Sequence, residues 1–150
     1  MAKKISIIRG ADYNTQTFPT AAAAGIEAGD VVKLLSNKAA RITTGEPEIG
    51  TDIMLGIASA PSTDTASVAG TVEVAILNPG KTVLRGEATT PANLDGATEI
   101  GKSVTFDVSG DDFTVDEDEA TDDAVHSLRI IGSDVDDGTV DFVVRPAALM

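Results

Sequence analysis

The residues able to do chemistry in this 150-residue chain are almost all carboxylates. Asp116 to Asp123 is nearly unbroken acid, and Asp134-Val135-Asp136-Asp137-Gly138 superficially matches a calcium loop, since hard cations take several oxygen ligands. The spacing is wrong for one. With Asp134 as the first ligand position, the glycine falls at the fifth place, and Arg145 stands at the twelfth, where a bidentate Glu belongs. The run from Asp116 to Asp123 has no ligand spacing either and reads as an exposed, solvated loop, so no metal or other cofactor is expected. His126 is the single histidine and shares the parity of Leu128 and Ile130, which suits a packed, hydrogen-bonded side chain better than a catalytic one. With one histidine and no cysteine, a structural zinc site is implausible. No nucleophile elbow, Walker loop or dinucleotide-binding glycine stretch occurs. A carboxylate pair for glycoside cleavage is set by the fold, at ~5–9 Å, and not by sequence. Sugar clefts usually present aromatic platforms, however, and Tyr13 is the only Tyr. The expectation is a protein that is not an enzyme.

The elements that must carry these residues are strands. Apolar content is 42% but aromatic content only 3%, so the core is built from Val, Ile, Leu and Ala. Val72, Val74 and Ile76 alternate with Thr71, Glu73 and Ala75, the period of a strand with one buried face. Asn78-Pro79-Gly80 follows as a turn, and Thr82 to Arg85 reads as the returning strand of a central hairpin. Val31 to Leu35 and Ala39 to Thr43 flank a turn at Asn37-Lys38. Met54 to Ala58 is a strand with a bulge or close backbone approach at Gly56. Val104 to Val108 and Phe113 to Val115 pair across Ser109 to Asp112, and Leu128 to Ile130 with Val140 to Val144 make a closing hairpin. Ala21 to Ala24 and Thr90-Pro91 allow a helical turn or two at most. The fold class is all-β, a small barrel or sandwich of short antiparallel strands.

Residues 1–20 carry Lys3, Lys4 and Arg9 against one acid, Asp12, with Ile5, Ile7 and Phe18 as apolar points. They read as an extended N-terminal arm, or equally as a first strand tucked into the sheet, ahead of a single β domain over 21–150. Twenty extended residues reach roughly 65–70 Å, enough to touch a neighbouring subunit. The net charge of −13 is unevenly spread. Residues 95–150 hold fifteen acids against Lys102, Arg129 and Arg145, whereas residues 1–94 are close to neutral. An acidic, aromatic-poor surface repels phosphate backbones, so no nucleic acid is expected as a partner. The apolar stretch from Ile5 to Ile8 is too short for a signal peptide and no run suits a membrane span, so a soluble chain with no membrane partner is expected.

Ala28-Gly29-Asp30-Val31-Val32-Lys33-Leu34, Gly56-Ile57-Ala58 and Gly70-Thr71-Val72-Glu73-Val74-Ala75-Ile76, with a turn carrying Pro79-Gly80, resemble the head decoration, or capsid cement, proteins of tailed phages. The resemblance covers residues 28–86, and the acidic 95–150 region departs from the shorter members of that group. It implies a structural virion protein made in the host cytoplasm. Such a protein binds the outer surface of an assembled phage capsid, commonly as a homotrimer, with the major capsid protein as partner. On that reading Lys3, Lys4, Ile5, Ile7, Arg9 and Phe18 form a capsid-binding arm able to add to a shell sheet edge. The alternative is a virion receptor- or carbohydrate-binding β module; a cell-surface adhesion domain, which should carry a secretion signal, is a further class.

Overall fold

A computed structural model describes residues 2–10, 14–78 and 80–148, and the described residues are all-β. Twelve strands are present: β1 (Ser6–Arg9), β2 (Asn14–Thr20), β3 (Val31–Leu35), β4 (Lys38–Arg41), β5 (Ile53–Ala58), β6 (Gly70–Ile76), β7 (Val83–Glu87), β8 (Ser103–Val104), β9 (Phe106–Ser109), β10 (Asp112–Val115), β11 (Leu128–Asp134) and β12 (Thr139–Val144). Single 3₁₀ turns occupy Pro91–Asn93 and Pro146–Ala148. Among the described residues no helix is long and apolar enough to cross a membrane.

The strands divide into a closed barrel in the order β2-β4-β3-β5-β6, a five-stranded sheet in the order β1-β7-β12-β11-β8, and the β9–β10 hairpin. The barrel encloses a small core of Ile26, Val32, Ala39, Leu55, Val72 and Val74. A larger core lies under the five-stranded sheet and gathers Leu84, Phe106, Phe113, Leu128, Ile130 and Phe142. β3 and β5 form the wall between the two. Val32 and Leu55 point into the barrel, whereas Val31, Met54 and Ile57 point into the larger core. Burial on both faces explains why Val31-Val32 and Met54-Leu55 are continuous apolar pairs and do not alternate with polar residues. Phe106 and Phe142 meet edge to face in the larger core, with ring centroids 5.5 Å apart.

Local signals are realised where the partner strand is next in sequence. Ser36 and Asn37 both take positive φ between β3 and β4, the twist a two-residue hairpin requires. β9 and β10 pair from Asp112↔Ser109 to Val115↔Phe106, and β11 and β12 from Leu128↔Val144 to Asp134↔Thr139. Gly56 is the expected close approach. A Cβ there would lie 2.0 Å from the Ala75 carbonyl oxygen, and φ is +152°, so only glycine lets β5 lie against β6.

Two expectations are corrected. The central hairpin does not form, because β6 pairs with β2 and β5 in the barrel while β7 pairs with β1 and β12 in the other sheet. The turn itself is tight, with the Lys81 and Thr82 N–H groups donating to the Asn78 carbonyl at 3.0 Å, but it serves as a crossover between sheets. Pro79 lies outside the described residues. The flanking strands separate because each buries its apolar face in a different core: Val72 and Val74 in the barrel, Leu84 under the sheet. The second correction concerns residues 1–20. They are extended, but they do not leave the body as an arm. β1 is an edge of the five-stranded sheet, and β2 pairs with β6 along all seven of its residues. The division at residue 20 therefore has no counterpart, and the acidic 95–150 region shares a sheet with β1.

Candidate functional site

A cluster of buried and half-buried charge lies where the barrel meets the rest of the molecule. Asp30, fully buried at the start of β3, accepts the Lys4 ammonium at 2.5 Å and the Glu27 N–H at 2.9 Å. Arg41 Nε of β4 stands 3.0 Å from its other oxygen, as an ion pair without the alignment of a hydrogen bond. Lys4 also meets Glu27 at 3.0 Å, and Arg41 meets Asp111 at 3.0 Å. Both cations lie over the Phe113 ring, at 5.4 and 5.2 Å from its centroid. Burial works against the Lys4 charge, but Asp30 and Glu27 prevail and raise its pKa above the ordinary lysine value. The polar members of this cluster face one another, so the arrangement fastens the segment before β1, the start of β3, β4 and the β9–β10 hairpin together.

The six residues expected to form a docking arm are therefore scattered. The Lys3 N–H donates to Asp112 Oδ1 at 2.8 Å, its carbonyl accepts the Phe113 N–H at 2.9 Å, and its ammonium pairs with Glu87. Lys4 belongs to the Asp30 cluster. Ile5 is buried at 3% exposure, in a space that exists because residue 86 is glycine: a Cβ there would lie 2.7 Å from Ile5 Cδ1. Ile7 is half-buried against the same core, and Phe18 is half-buried in the barrel opposite Val72. Only Arg9 is exposed without an ion pair among the described residues. Position along the chain brought these residues together as a candidate; the pairing of β1 and β2 with different sheets separates them.

The acidic region is also less of a plain surface than its composition implied. Glu117 is 2% exposed and accepts the Thr89 and Thr90 N–H groups at 2.8 Å, and burial pushes its carboxyl above the usual range. Glu99, also buried, accepts the Gly96 N–H at 2.8 Å and the Ser133 hydroxyl. Asp95 accepts the Thr98 N–H and hydroxyl and the Ala97 N–H, which hold it far below the usual carboxylate range. Asp134 accepts the Asp137 N–H and so closes the β11–β12 turn. These carboxylates satisfy loop amides that have no ladder partner. His126 is half-buried and held from both sides, with Nδ1 3.0 Å from the Ser103 carbonyl and Nε2 3.1 Å from Glu119. Among the described residues no group of three or more His, Asp or Glu is arranged to hold a metal ion.

One recess of about 460 Å³ opens beside the β3–β4 hairpin. Ala21 to Ala24 and Leu35 line it, with Lys38 and Arg41 among its lining residues. The alanine run, which promised a helical turn, crosses the barrel end as a loop with Ala23 at positive φ. No aromatic ring lines the recess. Comparison of the chain with protein-family models, with curated proteins and with solved structures returns no match.

Proposed function

We propose that this chain is a structural protein of a tailed-phage virion, a head decoration or cement protein that seats as a homotrimer on the outer surface of the assembled shell and stiffens it. The observation that carries the reading is the placement of the resembling stretches. The segments 28–34, 56–58 and 70–76 are separate in sequence, yet they fall in or run into β3, β5 and β6, contiguous strands of one barrel. What resembles the decoration proteins is thus a structural unit. The internal use of charge is compatible with this role, since Asp30, Glu99, Glu117 and His126 hold the body together and a cement protein acts through rigidity and contact area.

The test is co-sedimentation with shells of the phage that encodes the chain. Binding to intact shells, with little binding to unassembled capsid subunits, is expected, together with a higher temperature of shell disruption. Absence from shells, or equal binding to free subunits, would refute the proposal. Light scattering at micromolar concentration reports the trimer, which a monomeric mass both free and on shells would exclude.

A further inference from the structure

Resting on that reading, we infer that the shell docks on one end of the barrel, where an extended acidic segment of the partner adds to the open edge of β2. The registers Asn14↔Ile76, Leu34↔Ile53 and Leu35↔Lys38 bring the start of β2, the end of β6, the start of β5 and the β3–β4 turn to the same end. β2 is covered by β6 on one side along its whole length, but β4 meets its other side at a single pair, Thr20↔Ala39.

The direction of the free backbone groups follows from three hydrogen bonds. Thr71 spends its N–H and carbonyl on Thr63, and the Glu73 carbonyl accepts the Ser59 N–H. The pairs Pro19↔Thr71 and Thr17↔Glu73 are therefore the non-hydrogen-bonded kind, which also suits a proline without an N–H. Alternation then points the N–H and carbonyl of Thr15 and Thr17 away from β6, and both residues are exposed. Such an edge is a template for one more strand, with main-chain hydrogen bonds supplying affinity.

Charge selects the occupant. Arg9, Lys38 and Lys81 are the cations whose side chains have neither ion pair nor hydrogen bond among the described residues. All three flank the open side of β2, Lys38 beside its last residues and the other two near its first. Lys38 opens β4, and Arg9 pairs with Val83, just beyond the turn that carries Lys81. Leu35 and Ile53, 54% and 44% exposed, lie at the same end and give it an apolar part. On a chain of net charge −13, three uncompensated cations around an open strand edge favour an acidic partner.

The experiment uses the full chain and intact shells. The backbone amides of Thr15 and Thr17 should exchange fast in the free protein and slowly on shells, while those of Asn14, Gln16 and Phe18, spent on β6, are protected in both. Thr17→Pro removes an outward N–H without touching the β6 ladder, and should weaken shell binding at least tenfold, whereas Thr17→Val should bind like the parent. The combined variant Arg9→Gln, Lys38→Gln, Lys81→Gln should lose at least tenfold and flatten the salt dependence. Ala66→Glu, Ser67→Glu, Val68→Glu makes the same change in net charge on the loop at the opposite barrel end, and should stay within twofold. If the parent protein binds shells while the proline and the neutralised variants bind equally well, the β2 edge is excluded and the decoration reading survives. If the parent fails to bind, both fall. Should Thr17→Pro not fold, the exchange measurement and the neutralised variant decide, and amides that stay fast on shells overturn the inference. Protection of the Thr15 and Thr17 amides in the free protein that disappears on dilution would assign the edge to a second copy and overturn it equally.

Discussion

Replacing Asp30 with alanine isolates the junction between barrel and sheet. Removing one partner of a buried ion pair costs about 3–5 kcal/mol, because the other charge is left without compensation. Here the stranded charges are Lys4 and Arg41, whose side chains keep 21% and 24% exposure and have second carboxylates, Glu27 and Asp111, at 3.0 Å. Solvent and those carboxylates reduce the expected loss to about 2–3 kcal/mol. For a domain of this size each kcal/mol moves Tm by about 2–4 °C, so Asp30→Ala should melt about 4–12 °C lower. Glu27→Gln, which removes only the outer contact of Lys4, should shift Tm by less than about 2 °C. The cost should also be non-additive: in Lys4→Met, Asp30→Ala one stranded charge is gone, and part of the loss is recovered. Calorimetry of the parent, the three single variants Asp30→Ala, Glu27→Gln and Lys4→Met, and the double variant decides. A Tm for Asp30→Ala within 2 °C of the parent, or strict additivity with Lys4→Met, would refute the view that this buried carboxylate fastens the two halves.

Three further outcomes follow from the geometry. Deleting residues 2–9 removes Ile5 from the larger core, strips β7 of a partner and leaves Asp30 without Lys4, so the truncated chain should fail to show a cooperative urea transition at 25 °C. A midpoint within 0.5 M of the full chain would contradict the paired position of β1. Gly56→Ala drives a Cβ into the Ala75 carbonyl and should cost more than about 3 kcal/mol by urea unfolding, with amides of residues 74–76 losing protection. Glu46 is opposed by burial but held below the usual carboxylate range by the Lys33 ammonium at 2.6 Å and the Thr43 N–H. Its contribution to stability is therefore present above the unfolded-state value near pH ~4.3 and lost as pH falls through its lower folded value. Urea unfolding between pH 6 and 3 should show a shallower acid slope for Glu46→Gln, and an unchanged slope would count against the pair.

How far the sequence could be read depended on where each strand finds its partner. β9 with β10 and β11 with β12 are joined by short turns, so alternation and turn residues located both hairpins, although the strand expected over 104–108 breaks at Thr105, and Ser103–Val104 pairs with β11 instead. The β6–β7 segment carried an equally good hairpin signal, but its two strands bury their faces in different cores, and no local pattern encodes that choice. Residues 1–20 were ambiguous for the same reason, since β1 pairs with residues 83–85 and β2 with residues 70–76. The Asp30 cluster could not be read because Lys4, Asp30, Arg41 and Phe113 are brought together only by the fold. Glu99 and Glu117 were hidden inside an acidic composition that describes the average residue and not the one turned inward. Barrel strands β3 to β6 were legible as strands, whereas β2 fell within the ambiguous first twenty residues, and its open side appears only from the hydrogen bonds of Thr71 and Glu73 on its partner.

The place of β1 also sets the order in which the chain can assemble. Ser6 pairs with Arg85, and the Lys3 N–H reaches Asp112, 109 residues away. β1 thus has no partner until residues 83–85 have been made, and the sheet it edges closes only with β11 and β12. Contacts this distant must overcome loop-closure entropy before they return any stability, which places folding in the slow, millisecond-to-second range of non-local β proteins. Throughout that interval Ile5, Ile7 and Ile8 are exposed on a strand with no neighbour, and intermolecular pairing competes with folding. The flanking Lys3, Lys4 and Arg9 put charge beside that apolar run, so three of the residues expected to serve docking also discourage aggregation before the sheet has formed.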